Sequence, residues 1–167
     1  RFQRVGLIDK RPNGGWVFKG FIARFAAELF EIREMFELRS ARLLTGLAPA
    51  DPVWTDLERM RARHLELLER IDTDYDRFPT LDSDFHRLIN AAHPNRFIDG
   101  FFDVITLIFH YHYQWNKADE RQRNEVALAE HLNYIDALLA RDPARVNAAC
   151  MAHLASARRT LLRSARG

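Results

Sequence analysis

From Phe21 to its end the chain holds only three glycines, Gly46, Gly100 and Gly167, and its apolar residues recur every three to four positions. That combination constrains the fold more than any other feature, because it provides few sites for strand reversal and many for amphipathic helices. Ile22, Phe25, Leu29, Ile32 and Phe36 form a first stripe. Leu57, Met60, His64, Leu67 and Ile71 form a second, and Leu128, His131, Ile135 and Leu138 a later one.

Punctuation between the stripes sets the helix limits. Thr45-Gly46-Leu47-Ala48-Pro49 stops the first helix, and Asp51-Pro52 restarts the chain with Asp as N-cap and Pro at the first helical position. The second helix fades near Tyr75 to Pro79. Thr80 is expected to cap a third that ends at His93-Pro94. An aromatic fourth helix follows to about Asn116, then a charged loop from Lys117 to Asn124. Asp142-Pro143 repeats the cap-plus-proline start and opens a helix that ends among Arg158, Arg159, Arg163 and Arg166, where cations suit the negative end of the helix dipole. The expected fold is all-α, an antiparallel bundle of six to seven helices over residues 21–167.

Residues 1–20 differ in kind. Two short extended runs, Gly6 to Asp9 and Trp16 to Phe18, flank Arg11-Pro12-Asn13-Gly14-Gly15, the turn chemistry of a β-hairpin. Arg1, Arg4, Lys10, Arg11 and Lys19 against Asp9 alone leave this segment at +4, so the remaining residues stand at −2 within an overall +2. A basic fragment therefore precedes a nearly neutral body. The chain opens on Arg1 rather than Met, so a further segment is expected upstream.

Other classes fall away on composition. The single cysteine, Cys150, makes no disulfide framework. No apolar run approaches the roughly 18 residues of a membrane helix, so no membrane partner is expected and the protein reads as cytoplasmic.

Seven histidines are spread over the helices, several of them on apolar stripes. Asp82 and His86 lie four apart in LDSDFHRLI, so a helix projects both from one face. His131 lies between Leu128 and Ile135 on its stripe, and His153 between Cys150 and Ala157. Three imidazoles and one carboxylate suit a divalent transition metal, zinc first, with nickel, manganese or iron as alternatives. On an octahedral ion they leave two positions for water or a chelating carboxylate. The competing reading is that Asp82 caps its helix and the histidines are hydrogen-bonded packing residues.

Three segments carry a resemblance. LFEIREMFELRSARLLTG, with Arg33 and Glu37, LDSDFHRLINAAHPNRFI, with Asn95, and LAEHLNYIDALLARDPARVNAACMAHL together resemble a GntR-type bacterial transcription regulator with the FadR-type C-terminal effector domain, FCD. The resemblance covers essentially the whole chain. It implies that Asp82, His86, His131 and His153 hold the metal, as in the family's metal-binding branch. It also implies that residues 1–20 are the wing end of a winged helix-turn-helix domain, where Lys10, Arg11 and Asn13 touch DNA phosphate or minor groove.

Related proteins often carry effector-gripping arginines on the fourth helix. Here Tyr111, His112 and Trp115 occupy that stretch, which points away from a small, highly charged acid and leaves room for an aromatic or mixed ligand. Arg33 is the candidate carboxylate clamp, and its alternative role is an intrahelical pair with Glu37. Trp54, Met60, His64 and Leu68 are assigned to packing or a dimer interface. The expected function is that of a homodimeric regulator that binds a roughly palindromic operator and answers to a small carboxylic acid. The rival is a metal-dependent, hydrolase-like enzyme on a helical bundle. It lacks an obvious general base beside the ligands and a pair of Glu-x-x-His motifs.

Overall fold

A computed structural model describes residues 8–18, 23–115 and 119–164. Strand β1 (Ile8–Lys10) pairs antiparallel with β2 (Trp16–Phe18), Asp9 opposite Val17 and Lys10 opposite Trp16. Gly14 and Gly15 take φ of 95° and 82°, a region side chains avoid, and Arg11 N–H donates to the Gly15 carbonyl at 3.1 Å to close the turn. Lys10, Arg11 and Asn13 are exposed on this hairpin.

Helices α1 (Ala23–Thr45), α2 (Val53–Glu69), α3 (Ile71–Asp74), α4 (Phe78–Ala91), α5 (Arg96–Trp115), α6 (Glu120–Leu139) and α7 (Pro143–Ser164) follow. Helix α1 lies along α7 and α4, α6 packs on α7 and α2, and α4 also meets α2 and α5. The core fills the space between them, with Phe30, Leu57, Phe78, Phe85, Leu128 and Leu154 fully enclosed.

Local rules account for several boundaries. The Asp51 carboxylate accepts the Val53 N–H at 3.0 Å, and the Asp142 carboxylate accepts those of Ala144 and Arg145 at 3.0 and 3.1 Å. Asn95 opens α5 likewise, through Phe97 N–H at 3.0 Å. Between α6 and α7, Arg141 takes φ 52°. The N–H groups of Arg141 and Asp142 donate back to the carbonyls of Leu138 and Ala137, which ends the helix as a glycine would. The Arg141 guanidinium lies over the Trp54 ring at 4.0 Å, a contact that offsets the left-handed backbone. Replacing Asp142 with Ala should cost about 1 kcal/mol of unfolding free energy, read from urea denaturation, because two helix-start donors lose their acceptor. A change below 0.3 kcal/mol would count against the cap.

Three expectations are corrected. Thr80 is no N-cap: the chain turns through Tyr75–Arg77 directly into α4, which begins at Phe78 with Pro79 in its first turn. The charged loop is shorter than expected, because α6 begins at Glu120. Buried Asn124 donates from Nδ2 to the Tyr75 carbonyl at 2.9 Å, so a tertiary contact holds what the charge run obscured. On α1 the buried face is rotated from the apolar stripe. Ile32 is 44% exposed, while Leu29, Phe30, Arg33, Glu37, Ser40, Ala41 and Leu44 turn inward. Polar residues occupy core positions there, so a hydrophobic count misplaces the face.

Candidate metal centre

Helix α4 places Asp82 and His86 one turn apart, α6 places His131, and α7 places His153. One ligand atom from each of the four lies within 4.8 Å of every other. The nitrogens that converge are all Nε2: His153 to His86 at 3.2 Å and to His131 at 3.3 Å. Asp82 Oδ1 completes the group, 3.5 Å from His131 Nε2 and 3.7 Å from His86 Nε2. Helix α4 starts four residues before Asp82, so the alternative role of Asp82 as a helix cap does not arise.

The outward nitrogens are held in turn. His153 Nδ1 is 3.1 Å from Glu130 Oε2. His86 Nδ1 is 2.8 Å from Glu37 Oε2, close although off the ideal hydrogen-bond line. His131 Nδ1 is 3.0 Å from Nε2 of His64, on α2. Phe85 stacks on the His131 ring at 4.2 Å and meets His64 and His86 edge-on. A carboxylate accepts only, so the Nδ1 atoms facing Glu130 and Glu37 carry the hydrogen and leave the inward lone pairs bare. Bare nitrogens this close repel one another, and a cation among them removes the penalty. Three neutral imidazoles and one carboxylate, each imidazole backed by an outer partner, are the donor chemistry of a divalent transition metal site.

Burial pushes His64 down to about 4, and pushes His131 and His153 below their ordinary value, with neighbouring imidazoles adding to the effect at His131. The unfolded chain therefore takes up protons first as pH falls. The stability these groups contribute is fully present above about pH 6.5 and is lost toward pH 4. For the metal-free protein the loss should be about 3 kcal/mol from His64 alone, followed by urea denaturation between pH 7.5 and 4. A flat profile would show that the rings are not held neutral.

Arg33 is 2% exposed. Its Nε meets Glu37 Oε1 at 2.5 Å and its Nη2 lies 3.4 Å from His86 Nε2, so the intrahelical pair is formed and the guanidinium also borders the cluster. A cavity of about 210 Å³ opens here, lined by Arg33, Asp82, His86, Phe102, Ile105 and Thr106 among others. The side chains of Tyr111, His112 and Trp115, assigned to the effector from sequence, lie outside the described residues. Lys10, Arg11 and Asn13 stand apart from this centre on the hairpin.

Sequence reasoning missed Glu130; it placed His64 with packing or an interface, and His64 is fully buried and packed against His131, whose Nδ1 it also faces. Glu130 immediately precedes His131 yet serves the ring of His153, a pairing that no spacing rule encodes. Glu37 was legible as the partner of Arg33 but not as that of His86. Trp54 and Met60 are packing residues, Trp54 donating its indole N–H to the Ala48 carbonyl at 2.7 Å.

Residues 28–156 match the FCD domain. Over 98% of its length the chain is 38% identical to the probable HTH-type transcriptional regulator LgoR of Escherichia coli K12, of which it spans 54%. It therefore spans about half the length of that curated relative. Among solved structures it is similar to GntR of Streptococcus agalactiae, with TM-score 0.62 and 20% identity over 95% of this chain and 77% of that one. A GntR family member from Pseudomonas syringae pv. tomato gives TM-score 0.59 and 17% identity over 97% and 65%. No helix among the described residues is long and apolar enough to cross a membrane. Its fold is that of solved GntR proteins, and with residues 28–156 matched, from within α1 to within α7, the chain belongs to the FCD-domain family.

Proposed function

We propose that the chain is the sensing part of a cytoplasmic, DNA-binding transcription regulator. Its helical domain, residues 21–167, holds a divalent transition metal and a small carboxylate-bearing metabolite, and residues 1–20 are the wing end of a winged helix-turn-helix domain. The observation that carries this reading is the convergence of three Nε2 atoms and Asp82 Oδ1 beside a cavity bordered by Arg33. Asp82, His86, His131 and His153 would hold the metal, with zinc the first candidate on donor chemistry and nickel, manganese or iron the alternatives. When bound, the metal supplies positive charge that attracts an anionic group into the cavity. Arg33 presents its guanidinium from the same side and orients a carboxylate through paired N–H donors. Phe102 and Ile105 give part of the cavity wall an apolar surface. Lys10, Arg11 and Asn13 position the hairpin on phosphate or the minor groove, and a homodimer would meet a roughly palindromic operator. The effector acts by favouring one arrangement of the two DNA-binding heads over another. The enzyme alternative is not favoured, since the family is one of regulators.

The test is elemental analysis of protein purified without added metal, beside H131A and H153A, followed by a thermal-shift screen of small carboxylic acids with zinc present. Stoichiometric metal that both variants lose, and a midpoint raised by at least one acid, are the expected results. Metal-free wild type, or equal metal content in all three proteins, would remove the site. Operator release by the same acid, on the full-length regulator, tests the regulatory step.

A further inference from the structure

We propose that His64 is a positioning residue of the metal centre: it fixes the hydrogen of His131 on Nδ1, so that the nitrogen facing Asp82 keeps its lone pair, without itself reaching the ligand cluster. The proposal rests on the metal reading above and adds a residue to it. The Met60 carbonyl can only accept, so His64 Nδ1, 2.7 Å away, carries a hydrogen. In the neutral ring Nε2 is then a bare acceptor. The atom that faces it at 3.0 Å is His131 Nδ1, which must donate. A neutral His131 with its hydrogen on Nδ1 keeps its lone pair on Nε2, the atom 3.5 Å from Asp82 Oδ1 and 3.3 Å from His153 Nε2. A backbone carbonyl on α2 thus determines, through two imidazoles in series, the nitrogen that α6 offers.

Packing keeps the relay in register. His64 and His131 are both fully buried, and their rings lie 5.2 Å apart at 60°. Phe85 presses on both, stacked on His131 at 4.2 Å and edge-on to His64 at 5.6 Å, so neither ring turns without displacing core. His86 and His153 have carboxylates, Glu37 and Glu130, beside their Nδ1 atoms. His131 has an imidazole there instead. A neutral acceptor selects the tautomer without adding negative charge to the most enclosed of the three rings, where an unpaired carboxylate would be costly.

The experiment measures zinc affinity by competition with a chromophoric chelator for wild type, H64L and H64Q, and records the histidine tautomers of the metal-free wild type by long-range proton–nitrogen NMR. H64L removes the acceptor and should weaken zinc binding by about 10 to 100-fold, the usual range for an outer-shell partner. H64Q places an amide oxygen near the former Nε2 and should stay within a few-fold of wild type, a rescue that a merely space-filling role would not predict. In the spectrum both His64 and His131 should carry hydrogen on Nδ1. Equal affinity in H64L and wild type, or hydrogen on His131 Nε2, overturns the proposal and leaves the metal site standing. Wild type that takes up no zinc removes both. If H64L does not fold, H64Q and the wild-type spectrum still decide.

Discussion

Zinc at about a thousand times its Kd is expected to raise the thermal midpoint by roughly 10 °C, and a chelator to reverse the shift. A ligand that binds only the folded chain adds RT ln(1 + [L]/Kd), about 4 kcal/mol at that ratio. Each kcal/mol moves the midpoint of a domain this size by about 2 to 4 °C. The folded chain is the only state with the site, because Asp82 and His86 come from α4, His131 from α6 and His153 from α7. Unfolding separates residues up to 71 positions apart in sequence and scatters the donors. Replacing His131 or His153 with Ala should abolish most of the zinc-dependent shift, each removing a donor from a different helix. Differential scanning calorimetry with zinc, nickel, manganese and iron(II) in turn provides the check. A midpoint indifferent to all four metals would falsify the assignment.

The second large effect concerns Glu37. Substituting Leu for it should cost about 4 kcal/mol of unfolding free energy, although the side chain is of similar size and the position lies in the core. Glu37 is 1% exposed and lies against two buried groups, Arg33 at 2.5 Å and His86 at 2.8 Å. Burial alone would raise its carboxyl, yet Arg33 and His86 overcome that and hold it at about 2. Removing it takes from the enclosed Arg33 guanidinium the carboxylate at its Nε, and that lost charge compensation is the main loss. The double variant R33M/E37L should recover much of the stability, because apolar replacement of a whole buried pair is often near neutral. Urea denaturation of wild type, both single variants and the double gives the coupling directly. Additive losses in the double variant would mean that the pair does not act as a unit. Zinc affinity of the double variant then separates stability from site geometry, since His86 Nδ1 has also lost its outer partner.

Where immediate chain neighbours decide the outcome, the sequence was a good guide. Asp51 and Asp142 cap helices because a carboxylate two or three residues upstream reaches an exposed helix-start N–H whatever the rest of the fold does. Leu57, Met60, His64, Leu67 and Ile71, and likewise Leu128, His131, Ile135 and Leu138, are buried as their spacing implied. The same logic failed on α1, where Ile32 points outward and Arg33 and Glu37 point in. It failed because the ion pair and His86 satisfy each other only across helices. It failed again at Glu120, where the charged run reads as loop until Asn124 meets the Tyr75 carbonyl.

The amino-acid sequence by itself determined the helices, the hairpin with its two positive-φ glycines, and the pairing of Asp82 with His86 on one helix face, since each follows from backbone geometry within a few residues. Stripe spacing offered His131 and His153 as further donors, and resemblance to known regulators favoured reading all four as one metal set over hydrogen-bonded packing. Only the tertiary structure decided that His153 Nε2 lies 3.2 and 3.3 Å from those of His86 and His131 and that Glu37, His64 and Glu130 stand behind the three rings. The physical reason is reach: hydrogen bonding within a helix spans four residues, whereas the rotation of an imidazole is set by whatever packed helix presents a partner to its far nitrogen.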